Sequence, residues 1–319
     1  MSQTSEPQMI LALLGPSASG KTALSVELAE QLNAEIISLD STTPFKEFNI
    51  GTSKPDLLTR KKIPHYLIDI LDPTDPFTAF DFVKKADEAI SDITSRQKLP
   101  MIVGGTYFYL KGLQNGMYAI PPVDPAIVEI LEKEFEEMEN PLEAMHKTLQ
   151  AADPASAKTI HSHDRYRMIR ALAIFRSTGK RPSELNLAHP KPAQHRRVWV
   201  KYALLRSRHD LTQLITQRTD MMLAQGFVEE VKNLRAKYPA AKALSSIGYA
   251  ECVKFLNNEI DHKQLRNEII EKTRQLAKRQ MTWLRSDPEI RFIDSRDKDR
   301  IVLEVSNLIF ALRNKKGTP

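Results

Sequence analysis

Short apolar runs alternate with amphipathic segments in the first third of the chain. Residues 9–15 and 35–40 are short and almost wholly apolar, and a run with helical spacing, 21–33, lies between them. A second helical stretch, 82–100, leads into the apolar run 101–105. Short apolar strands between amphipathic helices are typical of a parallel sheet covered on both faces. The pattern therefore predicts an α/β fold with a doubly wound parallel sheet.

The pattern changes near Asp124, after which consecutive helical segments follow with no strand between them. A stretch with two prolines and a basic pair, 186–197, is typical of a linker. Strand-like residues resume at 198–205, and a last strand and helix end the chain. We therefore expect an inserted all-helical domain. The predicted domains are a core formed by 1–120 with 197–319, and an insert at 121–196.

Composition and charge narrow the class of protein. The 319 residues are 41% hydrophobic and 27% charged, which is ordinary for a globular chain. The net charge of +6 permits an anionic partner. One cysteine, Cys252, excludes a disulfide framework and a multi-cysteine zinc site. No apolar run approaches the roughly 18 residues of a membrane span, and we expect a cytoplasmic protein with no membrane role.

A glycine-rich segment, the phosphate loop, follows the first predicted strand and opens a predicted helix. It fits the pattern G-x-x-x-x-G-K-[ST], in which backbone N–H groups and a lysine hold a phosphate. This context favours a P-loop NTPase-like core, with Lys21 supplying a full positive charge and Thr22 able to ligate Mg²⁺. The residues predicted to hold phosphate are Gly15, Pro16, Ser17, Ala18, Ser19, Gly20, Lys21 and Thr22.

The acid expected of a nucleotide hydrolase is displaced to another strand. The run 99–106 ends in Gly104, Gly105 and Thr106, whereas Asp40 ends the run 35–40. Ligands of open α/β sheets bind at the carboxyl ends of strands. Asp40 is thus a candidate general base or metal ligand, with a helix N-cap as the alternative. We infer that the loop holds a diphosphate leaving group rather than ATP.

Two basic clusters suggest a large polyanion. The segment 271–285 has five basic residues and one acid, and its face could bind a phosphate backbone or remain a solvated surface. The second cluster lies in the predicted insert, where Tyr166 could stack on a base. The basic residues are Lys272, Arg274, Lys278, Arg279 and Arg285 in the first cluster, and Arg165, Arg167 and Arg170 in the second.

Taken together, these residues resemble the tRNA dimethylallyltransferase (tRNA isopentenyltransferase) family over nearly the whole chain. The matching segments, in chain order, are GPSASGKT, LDS, IGTSKP, IPHYLIDILDP, GGT, DRYRMIRAL, TGKRPSE, QGFVEEV, IGYAE and TRQLAKRQMTWLR. The resemblance implies transfer of a dimethylallyl group from dimethylallyl diphosphate to N6 of adenosine 37 in tRNA.

The resemblance also implies roles for matched residues. Lys21 and Thr22 would hold diphosphate and Mg²⁺, Asp40 would accept the N6 proton, and Thr106 would lie near the substrates. The insert would clamp the anticodon stem-loop, and the enzyme is expected to be a monomer. The expected tRNA contacts are Asp40, Ser41, Thr42, Thr43, Arg165, Tyr166, Arg167, Arg170, Arg274, Lys278 and Arg279.

Several residues depart from the pattern of the family near the expected chemistry. The departures are Thr43 and Tyr166 in place of Gln, Phe45 in place of Tyr, Tyr107 in place of Gly, and Leu214 in place of Arg. Arg218, and secondarily Arg208, are candidates to replace the missing diphosphate contact. These departures leave open a divergent tRNA-binding homologue with reduced or lost transfer, and the loop alone leaves open a small-molecule kinase.

Overall fold

The computed structural model describes residues 8–117, 123–188, 197–294 and 297–314. The chain divides into a core unit, 1–114 with 194–319, and a helical unit, 115–193. The domain boundaries predicted from the sequence, after residues 120 and 196, lie at or beside residues outside the described part.

A parallel sheet organises the core unit. Its strand order is β3-β2-β4-β1-β5-β6, and all described pairings are parallel. The strands are β1 Gln8–Leu14, β2 Ala34–Leu39, β3 His65–Tyr66, β4 Leu99–Gly104, β5 Arg197–Leu204 and β6 Ile290–Ile293. The order confirms the predicted parallel α/β fold and adds the two-residue strand β3, which the sequence pattern does not predict.

Helices cover both faces of this sheet. Those of the core unit are α1 Lys21–Leu32, α2 Leu57–Lys62, α3 Ala79–Ser95, α4 Tyr107–Asn115, α10 Arg208–Ala224, α11 Phe227–Lys237, α12 Tyr249–Leu256, α13 His262–Arg285 and α14 Lys298–Asn314, with a 3₁₀ turn at Lys242–Ser245. Those of the helical unit are α5 Pro125–Glu136, α6 Pro141–Ala152, α7 Pro154–Thr159, α8 Arg165–Thr178 and α9 Pro182–Ala188.

Burial on both faces explains why the strands are continuously apolar. Ile10 and Ala12 of β1 pack in one core cluster with residues of α3 and α4. Leu11 and Leu13 pack in a second cluster with residues of α1 and α14. A strand with this alternation has no face left for polar side chains. Asp40 and Thr106 come directly after β2 and β4, at the carboxyl ends of these strands.

A single carboxylate joins two helices of the helical unit. Asp153 is fully buried and caps α7, accepting hydrogen bonds from the Ser156 N–H at 3.1 Å and hydroxyl at 2.6 Å. It also accepts from the N–H of Ser183 at 3.0 Å and from its hydroxyl at 2.8 Å, near the start of α9. Burial opposes ionisation, but these hydrogen bonds lower the pKa of Asp153 to about 2. The segments that contain Asp153 and Ser183 thus fold together.

Replacing Asp153 by Ala should destabilise the helical unit. Each lost cap costs about 1 kcal/mol, so the free energy of unfolding should fall by about 2 kcal/mol. Because folding lowers this pKa from 3.8, the contribution should be complete above pH 3.8 and disappear as pH falls toward 2. Denaturant unfolding against pH measures both effects. Asp124→Ala, which removes the single cap on α5, should lower stability about half as much; equal losses would contradict the double role.

Candidate active site

The phosphate loop connects β1 to α1 in the conformation that its glycines permit. Gly20 has φ +94°, a left-handed value that residues with side chains rarely adopt, and the first helical residue follows it. The ammonium of Lys21 donates hydrogen bonds to the carbonyl oxygens of Gly15 at 2.9 Å and Pro16 at 2.7 Å. The buried hydroxyl of Ser19 has no partner among the described residues. The loop thus places an ammonium and a hydroxyl next to one another at the start of α1.

Three cationic side chains surround the loop. Burial, with repulsion from Arg218, lowers the pKa of Lys21 to about 7, although attraction to Asp40 opposes the shift. Arg218 itself has a pKa below its usual range because of burial, again opposed by Asp40. Arg206 donates from Nε to the carbonyl oxygen of Ser19 at 3.4 Å. The lowered pKa values of Lys21 and Arg218 show that these two cations repel one another, and a bound anion would relieve that repulsion.

Asp40 is held in a local turn at the end of β2. Its Oδ1 accepts the N–H of Thr42 at 2.8 Å, the Thr42 hydroxyl at 2.6 Å and the N–H of Thr43 at 3.2 Å. Oδ2 has no hydrogen-bond partner among the described residues. A carboxylate fixed through one oxygen can accept a proton on the other.

The same turn changes the expected roles of two threonines. Thr43, predicted to contact tRNA, is buried, and its hydroxyl shares a 2.9 Å hydrogen bond with that of Ser38. Thr42 directs its hydroxyl to Asp40 rather than to solvent. The turn points the Thr43 side chain into the protein, and its contact with tRNA stays a prediction. Ser41 remains exposed, and Phe45 is buried in an apolar cluster.

A close backbone contact brings Thr106 beside Asp40. The carbonyl oxygen of Leu39 accepts the N–H groups of Gly105 and Thr106, each at 3.3 Å. A side chain on Gly104 would place its Cβ 2.1 Å from that oxygen, so only glycine permits the approach. Since Leu39 directly precedes Asp40, the ends of β2 and β4 meet beside this carboxylate.

Gln280 of α13 joins the phosphate loop to the end of β4, and sequence reasoning missed it. Its Oε1 accepts the N–H of Ser17 at 2.9 Å, and its Nε2 donates to the carbonyl oxygen of Gly105 at 3.2 Å. The available signal was its place in the predicted basic helix, between the buried residues Ala277 and Leu284. Arg206 was also missed, because it lies in a loop after β5.

A second carboxylate, Glu230 of α11, fixes the segment that follows Asp40. It accepts the N–H groups of Asn49 at 3.2 Å, Ile50 at 2.7 Å and Gly51 at 3.3 Å. It also accepts the hydroxyl of Tyr249, from α12, at 2.8 Å. Three motifs that are distant along the chain thus meet at one side chain.

The basic residues of α13 divide into paired and exposed ones. Lys272 pairs with buried Glu251 at 2.5 Å, and Arg274 pairs with Glu271 at 3.2 Å. Lys278, Arg279 and Arg285 are exposed, and none of them has an ion pair within the described ranges. In the segment 271–285 these three are therefore the residues best placed to meet an external anion.

The cluster on α8 shows the same division. Arg165 pairs with Glu136 at 2.7 Å, and Arg167 pairs with the helix N-cap Asp164. Arg170 is exposed and has no ion-pair partner in the part of the helical unit that the structure describes, and Tyr166 is 74% exposed. The exposed pair can contact a partner without breaking an internal bond.

The departures from the family pattern are accommodated within the fold. Leu214 is half-buried on α10, and Arg218, one helical turn further on, is the cation that reaches Lys21 and Asp40. Arg208 is exposed at the start of α10. Tyr107 is buried, and its hydroxyl donates to Asp287 at 3.1 Å.

These features define a phosphate-loop α/β protein with a fixed carboxylate beside its anion site. A sequence model described as IPP transferase matches residues 44–287. The chain is 40% identical over 299 residues to a tRNA dimethylallyltransferase of Syntrophobacter fumaroxidans, covering 93% of this chain and 86% of that protein. The chain belongs to the IPP transferase family.

Solved structures agree with this assignment. The full-length tRNA isopentenylpyrophosphate transferase of Bacillus halodurans has 31% identity and a TM-score of 0.68, with 98% of each chain covered. A eukaryotic dimethylallyltransferase acting on tRNA has 27% identity and a TM-score of 0.74, covering 98% of this chain and 80% of its own. Within the described residues, none of the helices is long and apolar enough to cross a membrane.

Gln280→Ala should weaken diphosphate binding without unfolding the protein. The variant loses two hydrogen bonds that place the loop, which at about 1 kcal/mol each predicts roughly 30-fold weaker binding of Mg²⁺-pyrophosphate by calorimetry. Gln280→Glu keeps the acceptor for Ser17 but adds negative charge, and should bind still more weakly. Gln275→Ala is the matched control, because Gln275 is exposed on the same helix and bonds only to Glu271. Equal affinities of the Gln280→Ala and Gln275→Ala variants would contradict the positioning role.

Pyrophosphate binding should take up a proton at Lys21. With a pKa of about 7, Lys21 is mostly neutral above pH 7, and a bound anion restores its charge. Calorimetry in buffers of different ionisation enthalpy should show an uptake that is larger above pH 7 than below it. Lys21→Arg stays protonated, so the difference between the two proteins isolates Lys21. Equal proton uptake by the wild-type and Lys21→Arg proteins would contradict the assignment of this proton to Lys21.

Proposed function

We propose that this protein transfers a dimethylallyl group from dimethylallyl diphosphate to N6 of adenosine 37 in tRNA. The observation that carries the proposal is the meeting of Asp40, Thr106 and the phosphate loop at one edge of the sheet. Membership of the IPP transferase family supports the reaction class. The named relatives act on tRNA.

The proposed donor site is the cationic loop. Lys21 and Arg218 would hold the diphosphate, whose negative charge grows as the carbon–oxygen bond of the donor breaks. The electron pair of that bond leaves with the diphosphate. Because both cations already face the site, little reorganisation is needed when this charge develops.

The proposed acceptor step uses Asp40. The amino nitrogen N6 forms a bond to the dimethylallyl carbon and loses a proton, which the free Oδ2 of Asp40 accepts. Thr106, held beside Asp40 by Leu39, would orient the adenine or the donor. Adenine N6 is inaccessible in a stacked loop, so the base must be flipped into the site.

We also propose Mg²⁺ as the cofactor, with Thr22 as a ligand. Thr22 is exposed at the start of α1, and in the described part of the chain no three His, Cys, Asp or Glu residues are grouped to hold a metal. Mg²⁺ fits such a site, because it keeps water ligands and commonly takes one or two side chains with substrate phosphates. When bound, it would neutralise charge on the departing diphosphate.

For tRNA binding we propose the exposed cations Lys278 and Arg279 on the core unit, with Arg170 and Tyr166 on the helical unit. The support is that these side chains are exposed and make no ion pair among the described residues. The paired residues Arg165, Arg167 and Arg274 would contribute less, because each already has an acidic partner. Cytoplasmic location and a monomeric state stay predictions.

Two alternatives are less well supported. Arg218 lies near Lys21 and Asp40, where its charge can replace that of the arginine that the family has at the position of Leu214. A homologue without transfer activity would not need this replacement. A small-molecule kinase would not need the exposed basic residues of α13.

Asp40→Asn should abolish most turnover while preserving the donor site. Asparagine keeps an acceptor for Thr42 and Thr43 but cannot take the N6 proton, so kcat should fall about 100- to 10,000-fold with little change in pyrophosphate affinity. Mass analysis of nucleosides from tRNA treated with dimethylallyl diphosphate and Mg²⁺ measures the product. Asp56→Asn, at the exposed N-cap of α2, is the control. Wild-type protein that forms no more N6-prenyladenosine than Asp40→Ala would contradict the proposed function.

A further inference from the structure

Two side-chain contacts hold the segment that follows β4, and Thr106 lies between them. The first is the hydrogen bond from Nε2 of Gln280 to the carbonyl oxygen of Gly105 at 3.2 Å. The second is the hydrogen bond from the hydroxyl of Tyr107 to Oδ2 of Asp287 at 3.1 Å. Gln280 belongs to α13, and Asp287 comes just after the end of this helix. The residues before and after Thr106 are thus held by one helix and the turn that follows it.

Asp287 is a fixed point of the core unit. Its side chain is 2% exposed, and Oδ2 also accepts the ammonium of buried Lys201, from β5, at 2.8 Å. Oδ1 accepts the N–H of Glu289 at 3.1 Å, and the N–H of Asp287 donates to the carbonyl oxygen of Leu284 at 3.3 Å. Burial opposes ionisation, but the hydrogen bond from Lys201 helps to hold the pKa of Asp287 below its usual range. Tyr107 therefore donates to an anchored, charged carboxylate.

The two peptide groups that flank Thr106 are held by different contacts. On the amino side, its N–H donates to the carbonyl oxygen of Leu39 at 3.3 Å. On the carboxyl side, its carbonyl oxygen accepts the N–H groups of Tyr109 at 3.0 Å and Leu110 at 3.3 Å, so α4 begins there. The flanking peptide groups determine where the side chain of a residue points. The direction of the Thr106 side chain therefore depends on the first turn of α4, which begins at Tyr107.

We propose that Asp287 is a positioning residue, which directs the Thr106 side chain into the reaction site through its hydrogen bond to Tyr107. The proposal rests on the proposed function, in which Thr106 orients the adenine or the donor. Leu39 sets where the main chain of Thr106 lies, and the anchored helix start sets its orientation. A group that orients a reactant must be held within about 0.5 Å of its productive position. A hydrogen bond to a buried carboxylate gives that precision better than apolar packing alone.

Tyr107→Phe tests the contact, because it removes the hydroxyl and keeps the ring. We expect kcat for formation of N6-prenyladenosine to fall about 10-fold, since a small displacement of an orienting group lowers the rate. Pyrophosphate affinity should stay the same, because Gln280 still holds the phosphate loop. In a Thr106→Ala background, Tyr107→Phe should change kcat little, because the group that it positions is already gone.

Tyr66→Phe is the matched control. The hydroxyl of Tyr66 donates at 2.9 Å to Glu35, a carboxylate as buried as Asp287, near the start of β2 and away from the reaction edge. Each carboxylate keeps two cationic partners after its tyrosine is replaced. Thermal melting should therefore show similar losses of stability in the two variants. Only Tyr107→Phe should lower kcat, a difference that a purely structural hydrogen bond would not produce.

Magnetic resonance of isotope-labelled threonine methyl groups gives a readout that needs no turnover. The signal of Thr106 can be identified by its loss in Thr106→Ser. This signal should shift and broaden in Tyr107→Phe, because the side chain samples further orientations. It should stay in place in Tyr66→Phe.

Three results would overturn the proposal. These are equal losses of kcat in Tyr107→Phe and Tyr66→Phe, losses that add in the Thr106→Ala background, or an unchanged Thr106 methyl signal in Tyr107→Phe. Wild-type protein that makes no product, while the methyl signal responds as expected, would contradict only the proposed function.

Discussion

The carbonyl oxygen of Leu39 is the interaction on which the reactive edge of the sheet depends. It accepts two backbone N–H groups from the end of β4, and this is possible only because Gly104 has no side chain. The spacing between Asp40 and Thr106 is therefore set by main-chain atoms, which neighbouring side-chain substitutions leave in place. This explains how the chain keeps a well-formed site although Thr43 and Tyr107 depart from the pattern of its family.

The helix α13 places this edge relative to the phosphate loop. Gln280 bonds both to the phosphate loop, at Ser17, and to the residue that follows β4, Gly105. Lys272 of the same helix pairs with Glu251 of α12. The 24 residues of α13 also carry the exposed cations proposed to meet RNA. One continuous helix thus connects the proposed acceptor surface with the proposed donor site.

The fold was largely predictable because the apolar pattern reports burial on both faces of each strand. The exception, β3, is two residues long, and its pairing with β2 depends on tertiary contacts rather than on its own pattern. In the site, the roles of Lys21 and Asp40 follow from local motifs. Gln280 could not be predicted, because its bonds join residues 263 and 175 positions apart. The burial of Thr43 could not be predicted either, because a local turn decides which way its side chain points.

The carboxylate of Glu230 has a consequence for how the family can vary. One side chain receives N–H groups from 49–51 and the hydroxyl of Tyr249, so two segments separated by nearly two hundred positions share a single acceptor on α11. A substitution at Glu230 would leave all of these donors without their acceptor at once. A substitution in either donor segment must leave its donors able to reach the same two carboxylate oxygens. In evolutionary terms the three segments form one unit of selection, and we expect their sequences to drift together.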